Sequence, residues 1–347
     1  MNNILKEDID LIISSSGIDW NKFRNSNVLI TGAGGHIGTY LVNALNTLNV
    51  KKNFNIGLTL VVRNKKKLYK NKYIPKNKKI SVIEDYSLNF LKKYKKQDFL
   101  IHLASPSNSL NFVGHGEDVL FANIIMTKKI IDFIIKKKIK SFLFASSAEV
   151  YGQTKELSLS EDSYGYIDIL NPRSIYSESK RLGENLCVNL GKKYNLPIKI
   201  ARIFHTCGPF FKKNEKKIIP EFLFSSFNAK KINIFSNGKA ERSFTYITDV
   251  VVGIFIVLLK GKPLNAYNIG NPLNIINING LAKKIKNIIN TIYKLNISVL
   301  KKKRRIFDSR NKNFIPNINK IRNIGFRPKI NLNDTLKRTI IFYKNNI

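Results

Sequence analysis

The chain has 347 residues, with 60 Lys+Arg against 23 Asp+Glu and a formal net charge of +37. Its 43% hydrophobic content excludes a disordered chain, and its length suffices for one large α/β domain or two modest ones. Two cysteines, Cys187 and Cys207, exclude a disulfide scaffold, and no CxxC or Cys/His cluster points to a metal. A reducing, cytoplasmic setting is the expectation. The opening MNNILKEDIDLIISSSG is acidic early and is no signal peptide. The longest apolar stretch, Val250 to Leu259, is too short to span a bilayer, so no membrane insertion is expected.

The basic excess invites a nucleic-acid reading. The lysines, however, are spread over many segments (Lys65–Lys67, Lys92–Lys96, Lys136–Lys140, Lys301–Arg305) alongside heavy use of Asn and Ile. That is the pattern of solvated surface filled from A+T-rich codons rather than a phosphate-tracking groove, so no nucleic-acid partner is expected. The field still draws anionic substrates.

In chain order, residues 1–26 read as a helical lead-in. Asn27–Thr31 is a short apolar strand, followed by a glycine-rich turn and an amphipathic helix over Thr39–Leu48. Gly57–Val62, Ile80–Ile83 and Asp98–Leu103 read as three more strands. Val119–Lys137 is a helix, Ser141–Ser146 a fifth strand, Tyr176–Tyr194 a helix and Ile198–Phe204 a sixth strand. Strands alternating with helices predict an α/β fold, a Rossmann-type doubly wound parallel sheet over 27–207. Beyond 208 the alternation fades into a smaller C-terminal α/β lobe, 208–347, with helices such as Val250–Leu259 returning to the sheet.

Thr31-Gly32-Ala33-Gly34-Gly35-His36-Ile37-Gly38 lies between a strand and a helix, where a dinucleotide pyrophosphate would rest on the helix N-terminus. Gly32 permits the tight turn, Gly35 lets backbone N–H groups approach the phosphates, and Gly38 lets helix and strand pack closely. His36 is expected to face solvent or a phosphate. The second strand ends Val61-Val62-Arg63-Asn64, with no acid for the ribose hydroxyls. That leans towards NADP, unless Arg63 merely stacks on adenine.

Tyr176 and Lys180 are four apart on one helix face. An ammonium beside a phenol favours phenolate, a base able to take a proton from a sugar hydroxyl. Ser147 falls at the carboxyl end of the fifth strand, where ligands bind in such sheets, and can hydrogen-bond an oxygen that becomes a carbonyl. Glu149, two residues on, could shuttle a proton at a sugar carbon or brace its loop. Cys207 lies near the site but lacks a base partner.

Gly32-x-x-Gly35-x-x-Gly38, Ser146-Ser147-Ala148-Glu149-Val150-Tyr151-Gly152 and Tyr176-x-x-x-Lys180 resemble the extended short-chain dehydrogenase/reductases acting on nucleotide sugars. Asn171–Tyr176, Ala201–Pro209, Arg242–Asp249 and Tyr267–Pro272 are similar to UDP-glucuronate decarboxylases. The resemblance implies bound NAD, with His36, Ile37, Asp85, Leu103, Ala104, Asn123 and Lys180 at the cofactor. It places Ser105, Arg173, His205 and Arg242 at the sugar, and a homodimer built on Tyr176–Tyr194 and Val119–Lys137. Three positions depart from the family pattern: Met126 replaces a glycine, His205 replaces an asparagine, and Lys312–Asn317 lacks the arginine for the diphosphate. Arg310 or Lys312 would meet that charge requirement. The segment from Ser105 to Gly116 is expected to close over substrate.

The relatives share a first step that makes a 4-keto sugar. Ala148 cannot protonate a departing hydroxyl, which disfavours 4,6-dehydration, and Glu149 with Arg242 favours decarboxylation over 4-epimerisation. A non-catalytic NAD(P)-binding regulator is the reading from another class; it has no need of a Tyr–Lys base.

Overall fold

The computed structural model describes residues 3–94, 97–106, 109–211, 215, 217–302 and 313–344. Seven parallel strands form the central sheet: β1 (Asn27–Thr31), β2 (Gly57–Val62), β3 (Ile80–Glu84), β4 (Phe99–His102), β5 (Ser141–Ser147), β6 (Ile198–Ile203) and β7 (Ala266–Ile269). Their order is β7-β6-β5-β4-β1-β2-β3. The six expected strands form within a residue or so of their expected ends. The seventh was missed: only four residues long, it lies far along the chain from β6, and local pattern cannot report such pairing.

The chain reverses its direction of travel across the sheet between β1 and β4, so their carboxyl ends diverge and open a crevice. A buried relay spans that gap. Thr31 Oγ1 lies 2.6 Å from His102 Nδ1, and His102 Nε2 lies 3.0 Å from the Ala122 carbonyl. A carbonyl only accepts, so Nε2 carries the proton and Nδ1 accepts from Thr31. Burial, with the Lys180 charge nearby, pushes His102 down to about 3 and keeps this tautomer neutral.

Helix α1 (Asn3–Ile13) buries Leu5, Ile9 and Ile12 in the main core, against α2 (His36–Lys52) and a long apolar helix over Ile247–Lys260. Asp8, fully buried, accepts from Tyr40 Oη (2.6 Å), Tyr246 Oη (2.8 Å) and Arg338 Nη2 (2.7 Å). Three distant parts of the chain are thereby pinned at one carboxylate. A second core, holding Ile219, Leu223, Leu281 and Ile340, lies in the C-terminal lobe. No helix among the described residues is long and apolar enough to cross a membrane.

Truncating Asp8 takes an acceptor from two phenols and leaves the Arg338 cation with Glu7, at 3.0 Å, and the Ile4 carbonyl, at 3.5 Å. Asp8→Ala is expected to lower the unfolding free energy by about 3 kcal/mol or more, read from urea midpoints.

Candidate active site

A continuous cleft of about 2020 Å³ runs from the glycine turn across the carboxyl ends of β1, β4, β5 and β6 into the C-terminal lobe. Gly32 has φ +70°, and a Cβ there would stand 2.9 Å from the Ala104 nitrogen. A Cβ on Gly38 would meet the Gly32 carbonyl at 2.5 Å. These two positions thus admit only glycine, and no side chain caps the α2 N-terminus. Ile37, Asp85, Leu103, Ala104 and Ser105 line the same cleft. Asp85 accepts from Ser87 Oγ (2.5 Å) and the Phe90 N–H (2.9 Å). Burial works to raise its pKa, but those bonds prevail and hold the carboxyl below its usual range.

Of two expected cofactor contacts, His36 lines the cleft and Asn123 does not. His36 is half-buried: its ring packs on Phe211 at 4.6 Å between centroids, and its buried Nε2 has no hydrogen-bond partner among the described residues. The Phe210–Phe211 segment folds back over the start of α2, and burial with the Lys217 charge pushes His36 down to about 3. Asn123 does not line the cleft. Fully buried, it donates from Nδ2 to Ser179 Oγ (2.9 Å) within a π-turn over Phe121–Ile125. A π-turn rotates the helical register, and Ala122 and Met126 face the cleft instead.

Ser147, at the end of β5, Tyr176 and Lys180, both on the helix Ile175–Tyr194, converge on the cleft. Ser147 lies close enough to Tyr176 to favour its ionised form. Lys180 Nζ donates to the Ala145 carbonyl (2.7 Å) and lies 5.9 Å from the Tyr176 ring centroid. The expected phenolate is not what this geometry favours. Burial pushes Tyr176 up to about 12; Ser147 and the Arg173 charge only partly oppose it, and Glu149 adds to it. Burial also pushes Lys180 down to about 7, against the pull of Glu184 and Cys187. In both groups the loss of water disfavours charge.

Glu149 is gripped by Arg173, whose Nη2 and Nη1 donate at 2.9 and 3.1 Å, and Ser177 Oγ donates at 3.3 Å. Burial alone would raise its pKa, but Arg173 outweighs it and holds Glu149 as a carboxylate below its usual range. His205 opens into the cleft beside Arg242 and Glu149; surrounding protein and then the Arg242 charge lower its pKa. Arg242 also lines the cleft, its guanidinium 5.4 Å above the Phe314 ring. Arg310 and Lys312 lie outside the described residues.

The model of the NAD dependent epimerase/dehydratase family matches residues 28–270. This chain belongs to that family. It is 30% identical over 368 residues to dTDP-D-glucose 4,6-dehydratase of Dictyostelium discoideum, covering 92% of this chain and 82% of that protein. It is 27% identical over 256 residues to UDP-glucuronic acid decarboxylase 1 of Xenopus tropicalis, covering 73% of this chain but only 58% of that protein. Among solved structures, UDP-glucuronic acid 4-epimerase from Bacillus cereus, in complex with UDP-glucuronic acid and NAD, superposes with a TM-score of 0.78 at 23% identity, covering 92% of this chain and all (100%) of that one.

Within this family member the side of the cleft next to β2 fits a dinucleotide: a turn open at its glycines, an uncapped helix N-terminus and the Asp85 carboxylate. Arg63 has its guanidinium 3.5 Å from the Asp118 carboxylate and 5.5 Å from the centre of the Tyr86 ring. Its charge is matched from within the chain.

Two residues at the site escaped the sequence reading. Phe112, on a short helix over Ser109–Gly114, stacks on Tyr176 at 4.3 Å and 11°. The segment expected to close over substrate thus already covers the phenol ring. Glu184, one turn beyond Lys180, accepts from Ser146 Oγ (2.5 Å) and Arg202 Nη2 (2.7 Å). The i, i+4 spacing of Lys180 and Glu184 was a signal available in the sequence.

Removing the Arg173 guanidinium leaves Glu149 buried without its counter-charge. Arg173→Ala is expected to move the Glu149 titration from below to above 4.5, read by ¹³C NMR of labelled glutamate carboxyls.

Proposed function

We propose that this protein is an NAD-dependent nucleotide-sugar enzyme that decarboxylates a UDP-glucuronate-type substrate through a transient 4-keto sugar. Gly32, Gly35 and Gly38 would hold NAD, which would supply the acceptor and later the donor for the C4 hydride. Tyr176 takes the proton of the C4 hydroxyl, and Ser147 holds that oxygen. The C5 carboxylate is then β to a ketone; its bond to C5 breaks, CO₂ leaves, and the enolate oxygen rests on Ser147 and Tyr176. C5 takes up a proton, and the hydride and hydroxyl proton return to C4 and O4. Tyr176 needs positive charge close by to act as a base; the Arg173 charge already works in that direction, and Lys180 Nζ stands 5.9 Å from the centre of the phenol ring.

The observation that carries the choice of reaction is the state of Glu149. Dehydration across C5 and C6 requires a proton donor for the leaving hydroxyl. Ala148 offers none, and Arg173 keeps Glu149 ionised. Arg242 and Arg173 bring cationic groups to the cleft, which suits a sugar acid. The Arg63–Asp118 pairing supports NAD over NADP, because a matched guanidinium has less to offer a 2′-phosphate. A homodimer through Gly116–Lys136 and Ile175–Tyr194 is part of this reading, supported by the exposed Leu120, Ile125 and Leu182 on those helices.

Purified protein given UDP-glucuronate and NAD is expected to yield UDP-xylose by mass spectrometry. UDP-galacturonate in its place would assign 4-epimerisation, and turnover of neutral nucleotide sugars alone would overturn the sugar-acid reading. Tyr176→Phe is expected to lower kcat by roughly 10²- to 10⁴-fold with little change in NAD affinity. An unchanged function in that variant would point to a binding module instead.

A further inference from the structure

All strands of the main sheet are parallel, so their amino ends lie on the side opposite the cleft. A second cavity, of about 480 Å³, opens there, with Lys22, Arg24, Lys140, Ser141 and Lys199 in its lining. Lys199 is the unusual member. Only 6% exposed, it donates from Nζ to Ser141 Oγ (2.7 Å), whose hydroxyl donates to the Leu258 carbonyl (2.7 Å). Lys140 is matched by Asp98 at 3.2 Å, and the Arg24 guanidinium lies 4.6 Å from the Phe54 ring. Among the described residues, no carboxylate pairs with Lys22, Arg24 or Lys199.

A buried ammonium without a counter-charge is an unfavourable arrangement in a finished interior. Burial and the Lys22 charge push Lys199 down to about 8, so it is still mostly protonated near neutral pH. Three unmatched cations therefore converge on one cavity, exceeding the charge of a carboxylate and suiting an oxyanion that accepts from several directions. The cavity is larger than a bare oxyanion needs, and Phe99, Leu258 and Leu259 supply an apolar wall.

We propose that this cavity is a second ligand site, which binds a phosphate dianion, free or as a small phosphate monoester, through Lys199, Lys22 and Arg24. It shares no residue with the cleft and stands independently of the proposed reaction.

Isothermal titration of the full chain near neutral pH, at constant ionic strength, tests this with inorganic phosphate in one arm and glycerol phosphate in the other. The cleft also attracts anions, so variants assign the site. The exposed pair Lys22→Ser with Arg24→Ser, and separately Lys199→Met, are each expected to weaken binding by roughly tenfold or more, while Arg242→Ala leaves it intact. Tighter binding of glycerol phosphate assigns the monoester, and equal binding assigns free phosphate. Absence of binding to the parent chain would overturn the proposal. So would parent-like binding in the Lys22→Ser, Arg24→Ser variant, whose exposed positions leave the fold unaffected if Lys199→Met fails to fold.

Discussion

Partial burial of the Tyr176–Lys180 face, with the amine inside and the phenol at the cleft wall, sets the terms for the acidities in the cleft. A phenol and an amine four residues apart would, on an exposed helix, keep ordinary acidities and help each other little. Here burial drives the phenol up and the amine down, so each is held closer to its neutral form. The carbonyl of Ala145 holds the amine, and Phe112 covers the phenol ring. Positive charge close to the phenol is what would favour its ionised form.

The scaffold supplies that exclusion at a distance. Thr31, His102 and Ala122 fasten the diverging strands β1 and β4 to the helix behind them, and the Ala104 N–H closes on Thr31 Oγ1 at 3.2 Å. Glu184 ties Ser146, next to Ser147, to Arg202 on the neighbouring strand. The position of Ser147 is thus fixed from the sheet as well as from the helix. Far from the chemistry, Asp8 joins the first helix to the last, which lies in the second core, so the two cores are coupled through one buried carboxylate.

Much of this was legible in the sequence because it depends on local pattern. The glycine turn, the six strands before residue 208 and the long apolar helix near Val250 are written in short-range periodicity, and the Ser–Tyr–Lys set follows from their order. What escaped was set by tertiary contacts. Nothing in its own turn covers His36; Phe211, 175 positions later, packs on it. Asn123 was placed at the cofactor by family resemblance, and the π-turn at Phe121–Ile125, which local pattern does not report, holds it inside. The acidity of Tyr176 was read from the nearest charge in sequence, whereas the desolvation that reverses the sign depends on the whole wall around it.

The charge imbalance also changes meaning once the acids are placed. Several of the 23 are committed to interior arginines: Asp8 to Arg338, Glu149 to Arg173, Glu184 to Arg202. Each such pair removes an acid from the surface while neutralising a cation that would in any case be masked. The pairs are neutral and leave the net charge at +37, so the excess of cations falls to the rest of the chain and the external field is positive. Anions approaching from solvent feel that field over about a Debye length, roughly 8–10 Å at physiological salt, before any specific contact forms. Inside the cleft the situation differs: Arg173 is already paired with Glu149, so much of its charge is matched from within the chain.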